Sequence, residues 1–463
     1  MKGTNGWSYK PYRPMLYEVG DIYISRLVPA ETTIHVEWLG EGENCYEVFY
    51  RARGEEHFIL SGKCYGTEFE ITDLTPDTDY ELYISSGEKI SRVRLARCGK
   101  SIGTVVNYLH PDDEAFAYSG RYLCSPSLLC HPDGYLLASM DVYHGDGGQN
   151  LTLIFRSDDN GESWHYVCDL FPCFWGKLFL HQGDVYMLGC STEYGDLLIG
   201  KSEDGGMSFG APTVLLRGTG GFGVHKNPQN IVRLNGKLFA TLEWGSWRKT
   251  EYGHAAMVMS ADENADLLSP ISWSFAEPLK FARWCDELAD MPMNTMMIEG
   301  TLVISPEGEL KNIMRFGKFH RALVLDVDTE HPEKALRFER LMEFPANFSK
   351  FMIKHDAASG YYYSIATMAY DPQNKKTRNL LSLLRSRDLK EWDCVRDLFD
   401  YRDQPTGKVG FQYVDFEIVG EDIVFLCRTA LNQAASFHDS NYQTFHRIKN
   451  FRTNAVLDCE NRS

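Results

Sequence analysis

The stretch Asp133-Gly134-Tyr135-Leu136-Leu137-Ala138 joins a glycine turn directly to a short apolar strand, and the chain repeats this arrangement. Six such stretches are found, at Asp133–Ala138, Gly183–Leu188, Asn235–Ala240, Glu307–Leu310, Ser359–Tyr363 and Gly420–Phe425. Strands and turns that recur every 50 residues or so, as here, are typical of a β-propeller. Each blade can bury its faces only against its neighbours. We therefore predict an all-β fold in which six blades close around an axial pocket.

A smaller domain is predicted ahead of the propeller, because 463 residues exceed one ordinary core. Residues 17–98 alternate apolar and polar positions, as in Ile34–Trp38, with frequent turn signals. Within them, the order Leu-x-Pro-x-Thr-x-Tyr at Leu74–Tyr80 resembles the tyrosine corner of fibronectin type III domains, with Trp38 as the core aromatic. The resemblance implies a small fibronectin-III-like β-sandwich over residues 17–98, followed by the propeller over residues 115–452.

A second motif occurs twice in adjacent repeats and once in a degenerate form. The three copies are Ser157–Trp164, Ser202–Phe209 and Ser386–Trp392. Their Ser-x-Asp-x-Gly-x-Ser-aromatic order resembles the Asp box of sialidases and related propellers, where the Asp and Ser side chains bond the backbone of an outer turn and the ring packs between strands. The resemblance covers residues 115–452 and implies the fold of a sialidase-like propeller, but the turns themselves indicate nothing about the reaction.

The composition narrows the range of partners and compartments. A formal net charge of −17 argues against nucleic-acid binding, which usually needs a basic face. No stretch is long enough to span a membrane, and residues 1–7 lack the apolar core of a secretory signal, so we expect a cytoplasmic protein. The twelve cysteines form no C-x-x-C pair, so we predict free thiols, no metal site and no cofactor. The oligomeric state stays open.

The first repeat offers candidate acids. Cys124–Leu128 resembles the Arg-Ile-Pro opening of sialidases, but Cys124 stands at the place of the arginine, and Arg121 lies three residues earlier. The following loop, Tyr143–Asn150, corresponds to the sialidase loop that carries the general acid, which makes Asp146 the candidate. His144 is an alternative, because imidazole titrates near neutrality. An Asp between glycines is also a common turn former, and a histidine at a pocket rim often has no function.

Three later repeats resemble sialidases at single positions. Glu299 and Arg315 flank a hairpin where sialidases carry a catalytic glutamate and a site arginine, Arg378 begins a strand that often carries another, and Tyr413 corresponds to the nucleophilic tyrosine. An anomeric carbon bearing a carboxylate repels an anionic nucleophile, so a phenol activated by a neighbouring carboxylate is suited to attack it. The resemblance implies that Glu299 activates Tyr413, while Arg315 and Arg378 bind the substrate carboxylate.

Two other segments add substrate-binding candidates. The Gly-rich loop Gly218–Asn227 contains His225 and lacks a phosphate-binding pattern, and the last repeat contains Arg428 and His438. We assign four residues to substrate binding: Arg121, His225, Arg428 and His438.

The predicted function is retaining exo-cleavage of a terminal acidic sugar, sialic acid or a relative, from a glycan. Two alternatives stay open. One is a polysaccharide lyase that acts on a uronic-acid glycan through His144 or His225 with a tyrosine. The other is a non-catalytic glycan-binding protein that lost activity together with the missing arginine.

Overall fold

The computed structural model describes residues 6–10, 21–40, 44–144, 146–219, 221–247, 253–453 and 456–457. Regular structure in these segments is almost entirely β-strand, with two short 3-10 turns at Pro270–Ser272 and Asp286–Leu288. None of these segments forms a helix of the length and apolarity that crossing a membrane requires. The prediction of an all-β fold is confirmed.

Two antiparallel sheets follow the first strand, β1 (Ser8–Tyr9), which itself belongs to a later sheet. They contain β2 (Tyr23–Pro29), β3 (Ile34–Leu39), β4 (Tyr46–Ala52), β5 (Ile59–Cys64), β6 (Glu68–Ile71), β7 (Asp79–Ser86), β8 (Lys89–Ile90) and β9 (Arg94–Arg97). β2, β3 and β6 form one sheet, and the other five strands form the second.

The predicted tyrosine corner has the expected contacts. The Thr75 amide donates a 2.9 Å hydrogen bond to the Tyr80 hydroxyl, and Trp38 packs edge-on against Tyr46 in the core. The predicted domain start at residue 17 lies outside the described residues, and the assignment to the fibronectin type III class stays a prediction.

Six further antiparallel sheets, here numbered 1 to 6, each have four or five strands. The strand β10 (Thr104–Tyr108) comes first in sequence but belongs to sheet 6. Sheet 1 contains β11 (Tyr122–Cys130), β12 (Leu136–Tyr143), β13 (Leu151–Ser157) and β14 (His165–Leu170). Sheet 2 contains β15 (Phe174–His181), β16 (Asp184–Cys190), β17 (Leu197–Ser202) and β18 (Thr213–Leu216). Sheet 3 contains β19 (Gly223–His225), β20 (Val232–Leu234), β21 (Lys237–Gly245), β22 (His254–Asp262) and β23 (Trp273–Phe275).

The remaining three sheets follow the same pattern. Sheet 4 contains β24 (Met297–Ile304), β25 (Leu310–Phe316), β26 (Arg321–Asp326) and β27 (Arg337–Glu343). Sheet 5 contains β28 (Lys354–Asp356), β29 (Tyr361–Thr367), β30 (Leu380–Ser386) and β31 (Asp393–Asp400). Sheet 6 contains β32 (Gly410–Val419), β33 (Asp422–Ala430) and β34 (Tyr442–Lys449), together with β10 and β35 (Val456–Leu457).

Each sheet contacts the next, and sheet 6 contacts sheet 1, as expected of a β-propeller. Strands distant in sequence complete the first and last sheets: β1 pairs with β14, and β10 pairs with β34. β10 lies before residue 115, the predicted start of this domain, and β35 lies after its predicted end at residue 452. These added strands cover sheet edges that would otherwise expose unpaired backbone groups.

The inner ends of the sheets are joined by a buried ion pair. Asp415 of β32 accepts hydrogen bonds from the Lys177 ammonium of sheet 2 (2.6 Å) and from the Leu128 amide of sheet 1 (2.9 Å). Both charged side chains are almost completely buried. One carboxylate therefore links three sheets near the axis.

The Ser-x-Asp turns lie between the third and fourth strands of their sheets. In the first, Asp159 accepts a hydrogen bond from the Ser163 amide (2.9 Å), and the Ser157 hydroxyl accepts one from the Gly161 amide (2.8 Å). The second turn repeats both bonds at the same distances with Ser202, Asp204, Gly206 and Ser208. The aromatic residues that close the turns, Trp164 and Phe209, are fully buried.

Candidate active site

A cavity of about 710 Å³ lies among the inner strands, a volume in the usual range for small-molecule sites. Its walls include side chains from all six sheets or their connecting loops, among them Ser125, Trp175, His225, Glu299, Arg378 and Tyr413. The cavity therefore brings together groups that are nearly 300 residues apart in sequence.

Glu299 and Tyr413 occupy corresponding bulges in the first strands of sheets 4 and 6. Both have a left-handed backbone, with φ of 55° and 56°, where the pairing with the next strand shifts register. Ser125 and Trp175 take the same conformation in sheets 1 and 2. A β-bulge re-aims a side chain, and positive φ costs a non-glycine residue about 1 kcal/mol or more. Here the bulges coincide with residues that line the cavity.

The Glu299 carboxylate is the centre of a compact hydrogen-bond network. Its Oε1 accepts hydrogen bonds from the Tyr413 hydroxyl (2.7 Å) and from Asn227 Nδ2 (2.8 Å). Its Oε2 accepts one from Arg315 Nη1 (2.8 Å), and the same nitrogen donates to the Tyr413 oxygen at 3.3 Å. Glu299 and Tyr413 are both buried. A carboxylate, a phenol and a guanidinium are thus in mutual contact.

The surroundings push the pKa values of Glu299 and Tyr413 apart. Burial alone would raise the pKa of Glu299, but Arg315, His225 and the hydrogen bond from Tyr413 together hold it below its ordinary value. Burial, reinforced by the Glu299 charge, raises the pKa of Tyr413 to about 12, against the opposing effect of three arginines. An ionised carboxylate therefore faces a protonated phenol near neutral pH.

Two further arginines face this group with unused donors. Arg378 is buried, and within the described part of the chain its Nε and Nη1 have no hydrogen-bond partner. Burial, together with the charge of Arg315, lowers its pKa to about 9. The Arg428 guanidinium lies 5.1 Å from the ring centre of Tyr413, and its Nε is also buried without a partner among the described residues. Unpaired buried guanidinium donors are costly unless an anion is bound, so this part of the cavity is suited to an anion.

Arg428 supplies a guanidinium group to the cavity, whereas position 124, where an arginine was expected, carries a cysteine. Cys124 and Arg428 both line the cavity, and the Arg428 charge acts on the Cys124 thiol, whose pKa burial raises to about 12. Arg428 comes from β33, directly beside the strand that carries Tyr413, where it pairs with Gln412. A third guanidinium is therefore present in the cavity although the first strand of sheet 1 does not supply it.

Three residues predicted for the site lie elsewhere. The Asp146 side chain is 96% exposed and lies 3.8 Å from His144, whose ring packs against Tyr122. Arg121 is directed to Glu114, with 3.1 Å between Nη2 and Oε1. All three lie outside the set of residues that line the cavity. His144 and Asp146 lie in the short glycine-containing loop after β12, and Arg121 directly precedes β11, so the structure does not bring these residues to Tyr413.

The two predicted histidines of the later repeats do line the cavity. His225 Nδ1 lies 2.7 Å from Glu243 Oε2, and both side chains are buried. His438 lies 3.0 Å from Asp439, and burial together with the Arg428 charge lowers the pKa of His438 to about 4.

Sequence reasoning missed three polar residues of the cavity region. Asn227, quoted only as the end of a Gly-rich loop, donates to Glu299. Glu193 lines the cavity from the loop after β16. Glu243 is the lone acidic residue within the apolar run of β21, and that interruption was the available signal.

No protein-family model and no curated protein matches the chain. A protein of unknown function from Dyadobacter fermentans aligns with a TM-score of 0.50 at 10% identity, covering 75% of this chain and 97% of that one. The α-L-arabinanase of Penicillium chrysogenum has a TM-score of 0.49 at 14% identity, covering 77% and 100%. A leech intramolecular trans-sialidase has a TM-score of 0.49 at 9% identity, covering 97% of each chain. At such identities the likeness to the Dyadobacter protein is one of fold alone.

Proposed function

We propose that the protein is a glycoside hydrolase that releases a terminal acidic sugar, sialic acid or a relative, with retention of configuration. The observation that carries the proposal is the 2.7 Å hydrogen bond from Tyr413 to Glu299 inside a cavity with three arginines. A phenol paired with a buried carboxylate is an activated nucleophile that stays neutral until it reacts.

In the proposed reaction the Tyr413 oxygen attacks the anomeric carbon while its proton passes to Glu299. The glycosidic bond breaks, the leaving oxygen takes up a proton and departs as an alcohol, and the sugar is left covalently attached to Tyr413. Water then attacks the same carbon and gives up one proton, and Glu299 returns its own proton to the phenol oxygen. Two displacements at one carbon retain its configuration.

The arginines support the assignment of an acidic sugar. Arg315 is already paired with Glu299, whereas Arg378 and Arg428 have buried donors without partners among the described residues. A carboxylate on the sugar would accept hydrogen bonds from these two guanidinium groups. The alternative of a protein that lost its activity with the arginine at position 124 is disfavoured by Arg428, because the charge is supplied from β33.

We also propose a class for the six sheets, for the Ser-x-Asp turns and for the N-terminal sandwich. The six sheets would be six blades of a sialidase-like propeller, the Ser-x-Asp turns its Asp boxes, and the N-terminal sandwich a fibronectin-III-like module. The matching hydrogen bonds of the two turns support the second assignment. The bond from Thr75 to Tyr80 supports the third.

Trapping of the covalent intermediate tests the mechanism. The protein is incubated with fluorinated glycosyl fluorides of sialic and uronic acids, and the labelled peptide is identified by mass spectrometry. We expect a sugar adduct on Tyr413, and none in the Tyr413→Phe variant.

Product analysis covers the alternatives in the same experiment. An unsaturated uronide, detected by its ultraviolet absorbance, would replace the proposal with a lyase. Binding of acidic glycosides without any turnover would replace it with a glycan-binding protein.

A further inference from the structure

A histidine–carboxylate pair lines the same cavity on its sheet 3 side. His225, the last residue of β19, points its Nδ1 at Glu243 Oε2, 2.7 Å away on the neighbouring β21. The side chains of His225 and Glu243 are only 3% and 1% exposed, so water does not compete for this contact. A carboxylate acceptor keeps the proton on Nδ1, which leaves Nε2 to exchange protons with whatever occupies the cavity.

Glu243 links this histidine to the proposed nucleophile. Its other oxygen, Oε1, accepts a hydrogen bond from the Gly300 amide at 3.2 Å. Gly300 directly follows Glu299 in the bulge of β24, so one buried carboxylate holds both His225 and the backbone that carries Glu299. A protonated His225 would also favour the ionised form of Glu299.

The His225 ring is held in place by aromatic neighbours. Trp175 and His254 lie with ring centres 4.5 and 4.9 Å away, and Tyr194 and Trp247 lie at 6.0 Å. The titratable groups that face it are Glu243, Glu299, Tyr194 and His254, and burial lowers the pKa of His254 to about 3. Among the described residues, Nε2 of His225 has no hydrogen-bond partner. The nitrogen is thus available to a ligand in a rigid setting.

We infer that His225 is the general acid and base of the proposed hydrolase, with Glu243 as its positioning residue. The inference rests on the proposed function. His225 takes the role of general acid that was predicted for Asp146, because Asp146 lies at the surface and outside the cavity. His225 and Tyr413 come from sheets 3 and 6 and line the same cavity, so both can face one bound sugar.

The proton transfers balance in both steps. In the first, the imidazolium Nε2–H of His225 gives its proton to the glycosidic oxygen as the bond to the anomeric carbon breaks, and the leaving group departs as a neutral alcohol. In the second, Nε2 takes a proton from the attacking water, which restores the imidazolium while the phenol of Tyr413 is regenerated. Glu243 accepts the Nδ1–H hydrogen bond in both steps and compensates the charge whenever His225 is protonated.

Leaving-group dependence tests the inference. His225→Gln is compared with the wild type on two substrates of one acidic sugar, a nitrophenyl glycoside and an alkyl glycoside. A nitrophenolate departs without protonation, whereas an alkoxide needs an acid. We expect kcat/KM of His225→Gln to fall about 10²- to 10⁴-fold on the alkyl glycoside and less than about 10-fold on the nitrophenyl glycoside. Azide should restore breakdown of the accumulated intermediate.

A second variant and a control complete the test. In Glu243→Gln the imidazolium loses its counter-charge, so the alkaline limb of the kcat/KM profile should move to lower pH. His144→Gln, a change at the half-buried histidine outside the cavity, should leave the activity on both substrates unaffected. Equal losses of His225→Gln on the two substrates would overturn the inference, because they indicate a structural role.

The two proposals fail in different ways. If Tyr413→Phe is inactive while His225→Gln keeps full activity on the alkyl glycoside, the proton donor lies elsewhere and the hydrolase proposal stands. If the wild type cleaves neither glycoside, the hydrolase proposal itself fails.

Discussion

The hydroxyl of Tyr413 and the carboxylate of Glu299 are 114 positions apart in sequence and 2.7 Å apart in space. Both residues sit at positive φ in bulges of the first strand of their sheets. The propeller thus uses one backbone device twice to direct a phenol and an acid into the same cavity. Such strain is expected where geometry serves a function rather than stability.

Replacement of Tyr413 by Phe tests the nucleophile by kinetics. Removing the hydroxyl leaves the ring packed but eliminates the atom that attacks the anomeric carbon. We expect kcat on the acidic glycoside to fall about 10³-fold or more while the protein still folds. Tyr122→Phe is the matched control, because Tyr122 packs against His144 outside the cavity. Turnover by Tyr413→Phe within tenfold of the wild type would rule out this nucleophile.

Arg378→Met should weaken binding of the substrate carboxylate and, independently, raise the stability of the fold. The variant loses a charge-assisted contact to the substrate carboxylate, so kcat/KM should fall about 10- to 100-fold for the acid but hardly change for its methyl ester. Burial lowers the pKa of Arg378 to about 9, which means that its charge destabilises the fold. The free energy of unfolding should therefore rise by about 1 kcal/mol in the variant.

The control for this change is Arg387→Met, an exposed arginine at the end of β30. It should leave kcat/KM on the acid and on the methyl ester unchanged, and it should not raise the free energy of unfolding, because its guanidinium only packs over the Tyr361 ring. An equal loss of activity on the acid and on the methyl ester would show that Arg378 does not bind the carboxylate.

Asp415→Asn tests the ion pair at the axis. The substitution removes the charge that compensates the buried Lys177 and weakens the acceptor for the Leu128 amide. We expect a loss of about 3 kcal/mol or more in the free energy of unfolding, measured by urea denaturation. The partly exposed surface pair of Asp184 and Lys201 is the comparison, and Asp184→Asn should cost less than about 1 kcal/mol. Similar costs for both would mean that the buried pair does not hold the sheets together.

Lys350 gives the stability a defined pH dependence. This buried lysine donates to the Val414 carbonyl (2.9 Å), beside Tyr413, and burial lowers its pKa from 10.5 to about 7. The unfolded chain binds the proton more tightly, so the penalty is complete below pH 7 and is relieved as pH rises toward 10.5.

We therefore expect Lys350→Met to be most stable relative to the wild type at pH 7, with the difference shrinking by roughly 1 kcal/mol per pH unit up to pH 9. Urea unfolding at pH 7, 8 and 9 measures it. A difference that stays constant over this range would contradict the lowered pKa. Activity should also fall, because the carbonyl that follows Tyr413 loses its donor.

Local patterns anticipated the fold well. A glycine turn followed by an apolar strand depends on neighbouring residues alone, so the stretches around Gly134, Gly183 and Gly236 predicted strands that the structure contains. The contributions of β1 and β10 were not predicted, because such short strands are defined by partners that are distant in sequence, such as Leu170 for Ser8 and Phe445 for Thr104.

The site was predicted in part. Glu299, Arg315, Arg378 and Tyr413 converge as expected, since each lies at a fixed place in a repeating unit. Asp146 and Arg121 do not, because they lie in irregular segments next to β12 and β11, where strand periodicity does not set the direction of a side chain.

The sequence by itself determined the all-β architecture and the repeat from which each candidate site residue comes. Only the tertiary structure decided which of these groups meet: that Arg428 supplies a third guanidinium, that Glu243 holds His225, and that Asp146 faces solvent. The reason is that turns and alternating strands are encoded by adjacent residues, whereas contacts across the axis depend on the bulges, the tilt of the strands and the closure of the ring.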